Sequence, residues 1–210
     1  MSIITDSQHI IRLSFLKIRA FPNPENRRNY RIIPWSKYFN DCEDVEIVKS
    51  LFQDFVEEVD VECIVSPANS YGLMDGGYDK AITDYFGWEV AEAVQEKIIN
   101  ECFGEQVVGT SIIVDIPNTD KKLIHTPTMR VPSKIKDPVV VYNCMRSTLI
   151  CAIENSINSI VIPAFGAATG GLDIDTVAYM MKEAYKQVMN PPKKLDWNYA
   201  ERVNLEDYDY

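Results

Sequence analysis

The sequence predicts an α/β protein of three layers, α/β/α, around a mixed central sheet. Two observations point there. Short β-rich runs alternate with longer amphipathic runs, the pattern of a parallel or mixed sheet covered by helices on both faces. Six of the nine glycines, Gly72, Gly76, Gly77, Gly166, Gly170 and Gly171, fall in two places, each after a buried-looking strand and before a helix.

Taken in order, the run from His9 to Ile18 is β-rich and partly alternating and reads as a strand. From Ala20, AFPNPENRRNYRIIPWSKYFNDCED carries prolines and asparagines and reads as loop with a short insertion. VEIVKS, from Val45, is a further strand candidate. VECIVS, from Val61, is short, β-branched and ends at a proline, as a buried strand of a parallel sheet should. Beyond the first glycines, DKAITDYF from Asp79 and GWEVAEAVQEKIINECF from Gly87 read as helices. Val90, Val94, Ile98 and Cys102 recur in the second with charges between them. VVGTSIIVDI from Val107 and KKLIHTPT from Lys121 read as strands. The run from Asp137 to Ser156 is helical, with Val141, Met145, Leu149 and Ala152 on one face and Cys144 and Thr148 beside it. SIVIPAFG from Ser159 is strand then loop. The run from Leu172 to Met189 is a helix through Val177, Met181, Ala184, Tyr185 and Val188, with Asp173 as its N-cap. The remainder, from Asn190, is proline-broken, aromatic and acidic, and reads either as a docked arm or as disordered.

The chain of 210 residues suits one domain. Residues 45–190 form the expected domain, with 1–44 a strand-and-loop extension packed on it and 191–210 a tail. No run is apolar and long enough to span a bilayer, and the start lacks a secretory pattern. Five scattered cysteines agree with a reducing compartment, so the expectation is a soluble cytoplasmic protein. No Cys-x-x-Cys or His cluster suggests a metal, and no cofactor is implied. A formal net charge of −10 speaks against nucleic acid. The basic stretches at Asn26 and Pro191 are short and read as solvated loops. No oligomeric state is read from these features.

Glycine loops beyond the carboxyl ends of strands bind ligands in α/β folds, because the backbone N–H groups can approach an anion. Two such loops suit a diphosphate held by amides rather than lysines. The bland alternative for either loop is a tight turn or helix cap. FGAATGG is not a Rossmann fingerprint, and no GK[ST] of a P-loop occurs.

The stretch from Ile64 through Ile82, IVSPANSYGLMDGGYDKAI, resembles the first ligand loop of macro domains, the ADP-ribose-binding family, whose pattern is IVNAANSxLxxGGGVDxAI. IPAFGAATGG resembles the family's second loop, KKLIHTP its strand motif, and QDFV at Gln53 stands near its GDIT. The likeness runs from about Val45 to Met189.

The resemblance implies a site for ADP-ribose or a related NAD-derived nucleotide, or for an ADP-ribosylated substrate. It implies that Asn69 holds the distal ribose, that Gly76 and Gly77 wrap the diphosphate, and that Asp54 contacts adenine. Phe165, Gly166, Ala167, Ala168, Thr169, Gly170 and Gly171 make up the second loop. Tyr78 is expected beside the diphosphate or turned inward, and Phe165 on adenine or packed beneath the loop. Asp79 is the catalytic candidate, orienting water with Asn69 for attack on the anomeric carbon. A carboxylate at a helix N-terminus is held ionised by the dipole, which suits a base or a water-orienting group; Asp79 is equally read as a simple ligand contact, and its bland reading is a helix-start residue. The implied activity is ADP-ribosyl hydrolysis, with a non-enzymatic reader or sensor as the alternative. A protein that keeps the fold but has lost the pocket is a third reading.

Several positions depart from the pattern. Ser66 and Pro67 replace Asn and Ala, Asp75 replaces a loop glycine, Gly170 stands where an aromatic is common, and Gln53 replaces the Gly of GDIT. His125 inside an apolar strand reads as a core residue, and a Cys63–His125 catalytic pair is the minor alternative. Asp173 and Asp175 read as helix capping.

Overall fold

A computed structural model describes residues 15–19, 33–48 and 50–201. Its strands are β1 (Phe15–Arg19), β2 (Val45–Val48), β3 (Cys63–Ser66), β4 (Ile112–Asp115), β5 (Lys122–His125) and β6 (Ser159–Pro163). They form one sheet in the order β2-β1-β6-β3-β5-β4. All neighbouring pairs are parallel except the antiparallel β4–β5 edge, so the sheet is mixed. Of the expected His9–Ile18 strand, residues 9–14 lie outside the described residues, as do the basic stretch at Asn26 and residues 202–210.

Side-chain alternation along the central strands builds two separate cores. Cys63 and Val65 of β3, Ile124 of β5, and Ile160 and Ile162 of β6 enter one core, with α1 (Ile33–Phe39), α5 (Val139–Glu154) and α6 (Ile174–Met189). Ile64, Leu123 and Val161, on the other pleat face, enter the second, with α2 (Phe52–Glu58), α3 (Gly77–Phe86) and α4 (Glu89–Glu101). The period of two in a strand is the cause. This is the expected three-layer arrangement. The helical faces read from the sequence are the buried ones: Val141, Met145, Leu149 and Ala152 on α5, and Val90, Val94 and Ile98 on α4, are at most 2% exposed. Burying each such aliphatic side chain contributes about 1.5–3 kcal/mol.

Two helices were not foreseen. Ile33–Phe39 was expected as loop, but Pro34 stands in the first turn, where a missing N–H costs nothing. Trp35 and Phe39, one turn apart, are both buried and stack with ring centroids 6.2 Å apart. Phe52–Glu58 is a two-turn helix pinned by buried Phe52 and Phe55. Residues before Val45 therefore supply a strand paired on both sides and a helix of the core. The tail carries a short helix, α7 (Trp197–Ala200), on which Trp197 is 81% exposed. Asp173 caps α6 as expected, accepting hydrogen bonds from the N–H groups of Asp175 and Thr176. Among the described residues no helix is long and apolar enough to cross a membrane, and no group of His, Cys, Asp and Glu is arranged to hold a metal ion.

Candidate functional site

The parallel strands β3 and β6 end side by side, and each feeds a glycine loop. Between the loops lies a cavity of about 280 Å³, at the low end of small-ligand sites. Asn69, Asp75, Gly76, Gly77, Tyr78 and Asp79 line one wall. Gly166, Ala167, Ala168, Thr169 and Gly170 line the other. The segment after β5 contributes Thr128, Met129 and Pro132, which the sequence reading did not single out. They stand beyond the carboxyl end of a third parallel strand, and that rule alone would have found them.

The glycines of loop one divide by function. Gly72 is a packing residue: a Cβ there would lie 2.9 Å from Val94 on α4. Gly77 has φ +58°, a left-handed conformation that favours glycine, and a Cβ on it would meet only open space. It begins α3, whose N-cap residue Gly76 makes no side-chain capping hydrogen bond. Loop two is tighter. A Cβ on Gly170 would stand 2.5 Å from the Gly166 carbonyl oxygen, so only glycine fits. Among the described residues the N–H groups of Ala168, Thr169 and Gly170 have no protein acceptor. Among the described residues no Lys or Arg lines the cavity. The donors that the described part of the wall offers to an anion are mainly backbone amides.

Asn69 is 6% exposed and largely spent on its own loop. Its Oδ1 accepts from the N–H groups of Tyr71 (3.1 Å) and Leu73 (3.4 Å), and its Nδ2 donates to the Leu73 carbonyl at 2.9 Å. One Nδ2 hydrogen is left for a ligand.

Asp79 stands in the first turn of α3, half-buried where it borders the cavity. Its Oδ1 accepts a 2.7 Å hydrogen bond from the Ser66 hydroxyl at the end of β3. Withdrawal of the carboxyl from water pushes its pKa up to about 7, against the Ser66 hydrogen bond and its own backbone N–H, which lower it. Desolvation thus sets an upward direction for Asp79, against the ionised carboxylate expected at a helix N-terminus.

His125 is fully buried. Gln106 donates from Nε2 to the carbonyls of Thr110 and His125, which leaves its Oε1 to accept from His125 Nδ1 at 2.6 Å. Burial pushes the His125 pKa down to about 3, so the ring is neutral. Cys63 pairs in register with Lys122, not His125, and burial pushes its thiol pKa up. The Cys63–His125 pair does not form, and the core reading of both residues holds.

A family model described as the Macro domain matches residues 65–181. The chain belongs to the macro domain family. It is 32% identical over 168 residues to an uncharacterized protein of Aquifex aeolicus, covering 79% of this chain and 91% of that protein. Among solved structures, a glycine-to-valine variant of the Oceanobacillus iheyensis macrodomain with ADPR is 26% identical and superimposes with a TM-score of 0.56, over 63% of this chain and 73% of that one. The same macrodomain with ADP is 27% identical, with a TM-score of 0.54, over 61% of this chain and 70% of that one.

Within this macro domain three of the expected site residues fall outside the cavity. Asp54 is exposed on α2, between the buried Phe52 and Phe55, and does not line the cavity. Phe165 is fully buried in the core under loop two, so it packs beneath the loop. Gly171 has φ +70°, and the space a Cβ would take is filled by the Lys134 side chain. It serves the turn and not the cavity wall. Tyr78 lines the cavity and also turns inward, packing edge-on against Phe52 at 5.4 Å between ring centroids.

Proposed function

We propose that this macro domain binds ADP-ribose, or a related NAD-derived nucleotide, between its two glycine loops and hydrolyses an ADP-ribosyl linkage. Support for the ligand comes from the amide-lined cavity and from the ADPR and ADP of the O. iheyensis structures. The observation that carries the hydrolytic half is Asp79, a carboxyl on the cavity wall with a pKa near 7. A general base works best when its pKa lies near the operating pH. Once ionised, Asp79 takes a proton from water as the water oxygen bonds to the anomeric carbon, and the bond from that carbon to the leaving group breaks. Amides of loop two and of the α3 N-terminus hold the diphosphate, and the free Nδ2 hydrogen of Asn69 faces the ribose.

The test is turnover of an ADP-ribosylated substrate by wild type and Asp79→Ala, with ADP-ribose affinity measured alongside. A base contributes about 10²–10⁴-fold and acts mainly in the transition state. The variant should lose turnover by that factor and keep most of its affinity. Wild type that binds ADP-ribose but releases none from an ester, glycosidic or phosphate substrate leaves the reader as the function. Unchanged turnover in Asp79→Ala moves the chemistry to another residue, with Asp75 the next carboxylate on the wall.

A further inference from the structure

Asp79 cannot act alone, because a carboxyl on a cavity wall is useful only if one oxygen is fixed toward the substrate. Among the described residues its side-chain partner is Ser66, at 2.7 Å. Ser66 is fully buried and closes β3, opposite His125 in the parallel ladder, and its carbonyl accepts from the Thr126 N–H at 2.9 Å. Pro67 follows it and stiffens the exit from the strand. The hydroxyl is therefore carried on a strand end fixed by backbone hydrogen bonds, while Asp79 sits in the first turn of α3 just after the glycine pair Gly76–Gly77. Rigid support of this kind is what holds a reacting group in place.

We propose that Ser66 is a positioning residue for Asp79: its hydroxyl engages Oδ1, fixes the carboxyl on the cavity wall and leaves Oδ2 to the ligand. This rests on the hydrolytic reading of Asp79 and extends it to a residue that departs from the family pattern. The interaction favours the ionised carboxylate, because a hydroxyl donates better to a charged oxygen than to a neutral one. Ser66 thus opposes the desolvation that otherwise keeps Asp79 protonated. Among the described residues no cation pairs with the Asp79 carboxyl, and Lys134, the cation beside loop two, lies against Gly171. His125 beside it is neutral, with Nδ1 committed to Gln106. The other titratable residues of the cavity wall are Asp75 and Tyr78, neither of which is a cation. Arg130, after β5, is tied to Glu105 by two hydrogen bonds, and Lys80 on α3 pairs with Asp84.

The experiment follows the carboxyl carbon of Asp79 by NMR through a pH titration of the full chain, in wild type, Ser66→Ala, Ser66→Thr and Ser66→Cys, with the pH profile of turnover recorded in parallel. Loss of the hydroxyl should raise the Asp79 midpoint by about one pH unit or more. Ser66→Thr, which keeps a hydroxyl, should restore it, and Ser66→Cys, a weak donor of similar size, should fall between. The alkaline-rising limb of the turnover profile should move with the midpoint. A purely structural Ser66 would alter stability but not the midpoint, and an unmoved midpoint in Ser66→Ala and Ser66→Cys overturns the proposal whatever the turnover. A midpoint that moves in a chain with no turnover supports the positioning role and sinks the hydrolytic reading, so the two failures are distinct.

Discussion

Replacing Asp79 by Asn should make the protein more stable relative to wild type as the pH rises from 4 to 8. Asn keeps the shape and the oxygen that accepts from Ser66 but cannot ionise. In the wild type the carboxyl has a pKa of about 7 against an unperturbed 3.8. A raised folded-state value means that the native protein binds more protons than the unfolded chain between those limits, so wild-type stability falls as pH rises through them. The contribution of Asp79 is most favourable below about 4 and is lost above about 7. At 1.36 kcal/mol per pH unit, a gap of about three units sets an upper bound near 4 kcal/mol. The carboxyl borders an open cavity into which water can relax, so about 1–3 kcal/mol is the expected span. The assay is urea unfolding of both proteins at intervals of one pH unit, comparing the difference in stability rather than either value, so that all other titrating groups cancel. The difference should climb between pH 4 and 7 and then level off. A flat difference, or one that favours the wild type as pH rises, would show that Asp79 is ionised throughout and refute the desolvation argument.

Two further substitutions probe the loops. Asn69→Ala removes three hydrogen bonds that hold loop one as well as the free N–H. Stability measured by urea unfolding should drop by about 1–3 kcal/mol, and ADP-ribose affinity and turnover should fall together, unlike in Asp79→Ala. Gly170→Ala places a methyl 2.5 Å from the Gly166 carbonyl, so loop two must move. Binding by calorimetry should weaken at least tenfold while unfolding stays cooperative, and normal binding would show that the ligand does not depend on this loop.

Much of the fold and the first loop were legible because local and tertiary preferences agree there. The buried run Cys63–Ser66, the glycine pair Gly76–Gly77 and the helix read from Asp79 each carry a local signal, and the short, β-branched apolar run through Ile64 and Val65 announces a strand buried on both faces. Trp35 and Phe39 were harder to place. Their helix is two turns long, carries a proline in its first turn and is held by packing into the core, none of which a periodicity window detects. Asp54 was matched by motif position alone, and the turn between Phe52 and Phe55 decides that it faces solvent. Ser66 was visible only as a departure from a family pattern. Its bond to Asp79 spans thirteen residues and depends on how α3 docks against β3, which no local rule specifies. The raised pKa of Asp79 was missed for the same reason, since a helix start suggests an ionised carboxylate while burial comes from the walls around it.

Calorimetric titration of the wild-type protein with ADP-ribose and with AMP tests the central claim most directly. AMP lacks the second phosphate and the distal ribose, the parts that the proposed function assigns to the amides of loops one and two. Each hydrogen bond to a charged oxygen contributes roughly 1.5–3 kcal/mol, so the loss of several should weaken binding by orders of magnitude. One ADP-ribose should bind per chain, at least a hundredfold more tightly than AMP. Equal affinity for the two, or no binding of ADP-ribose, would contradict it.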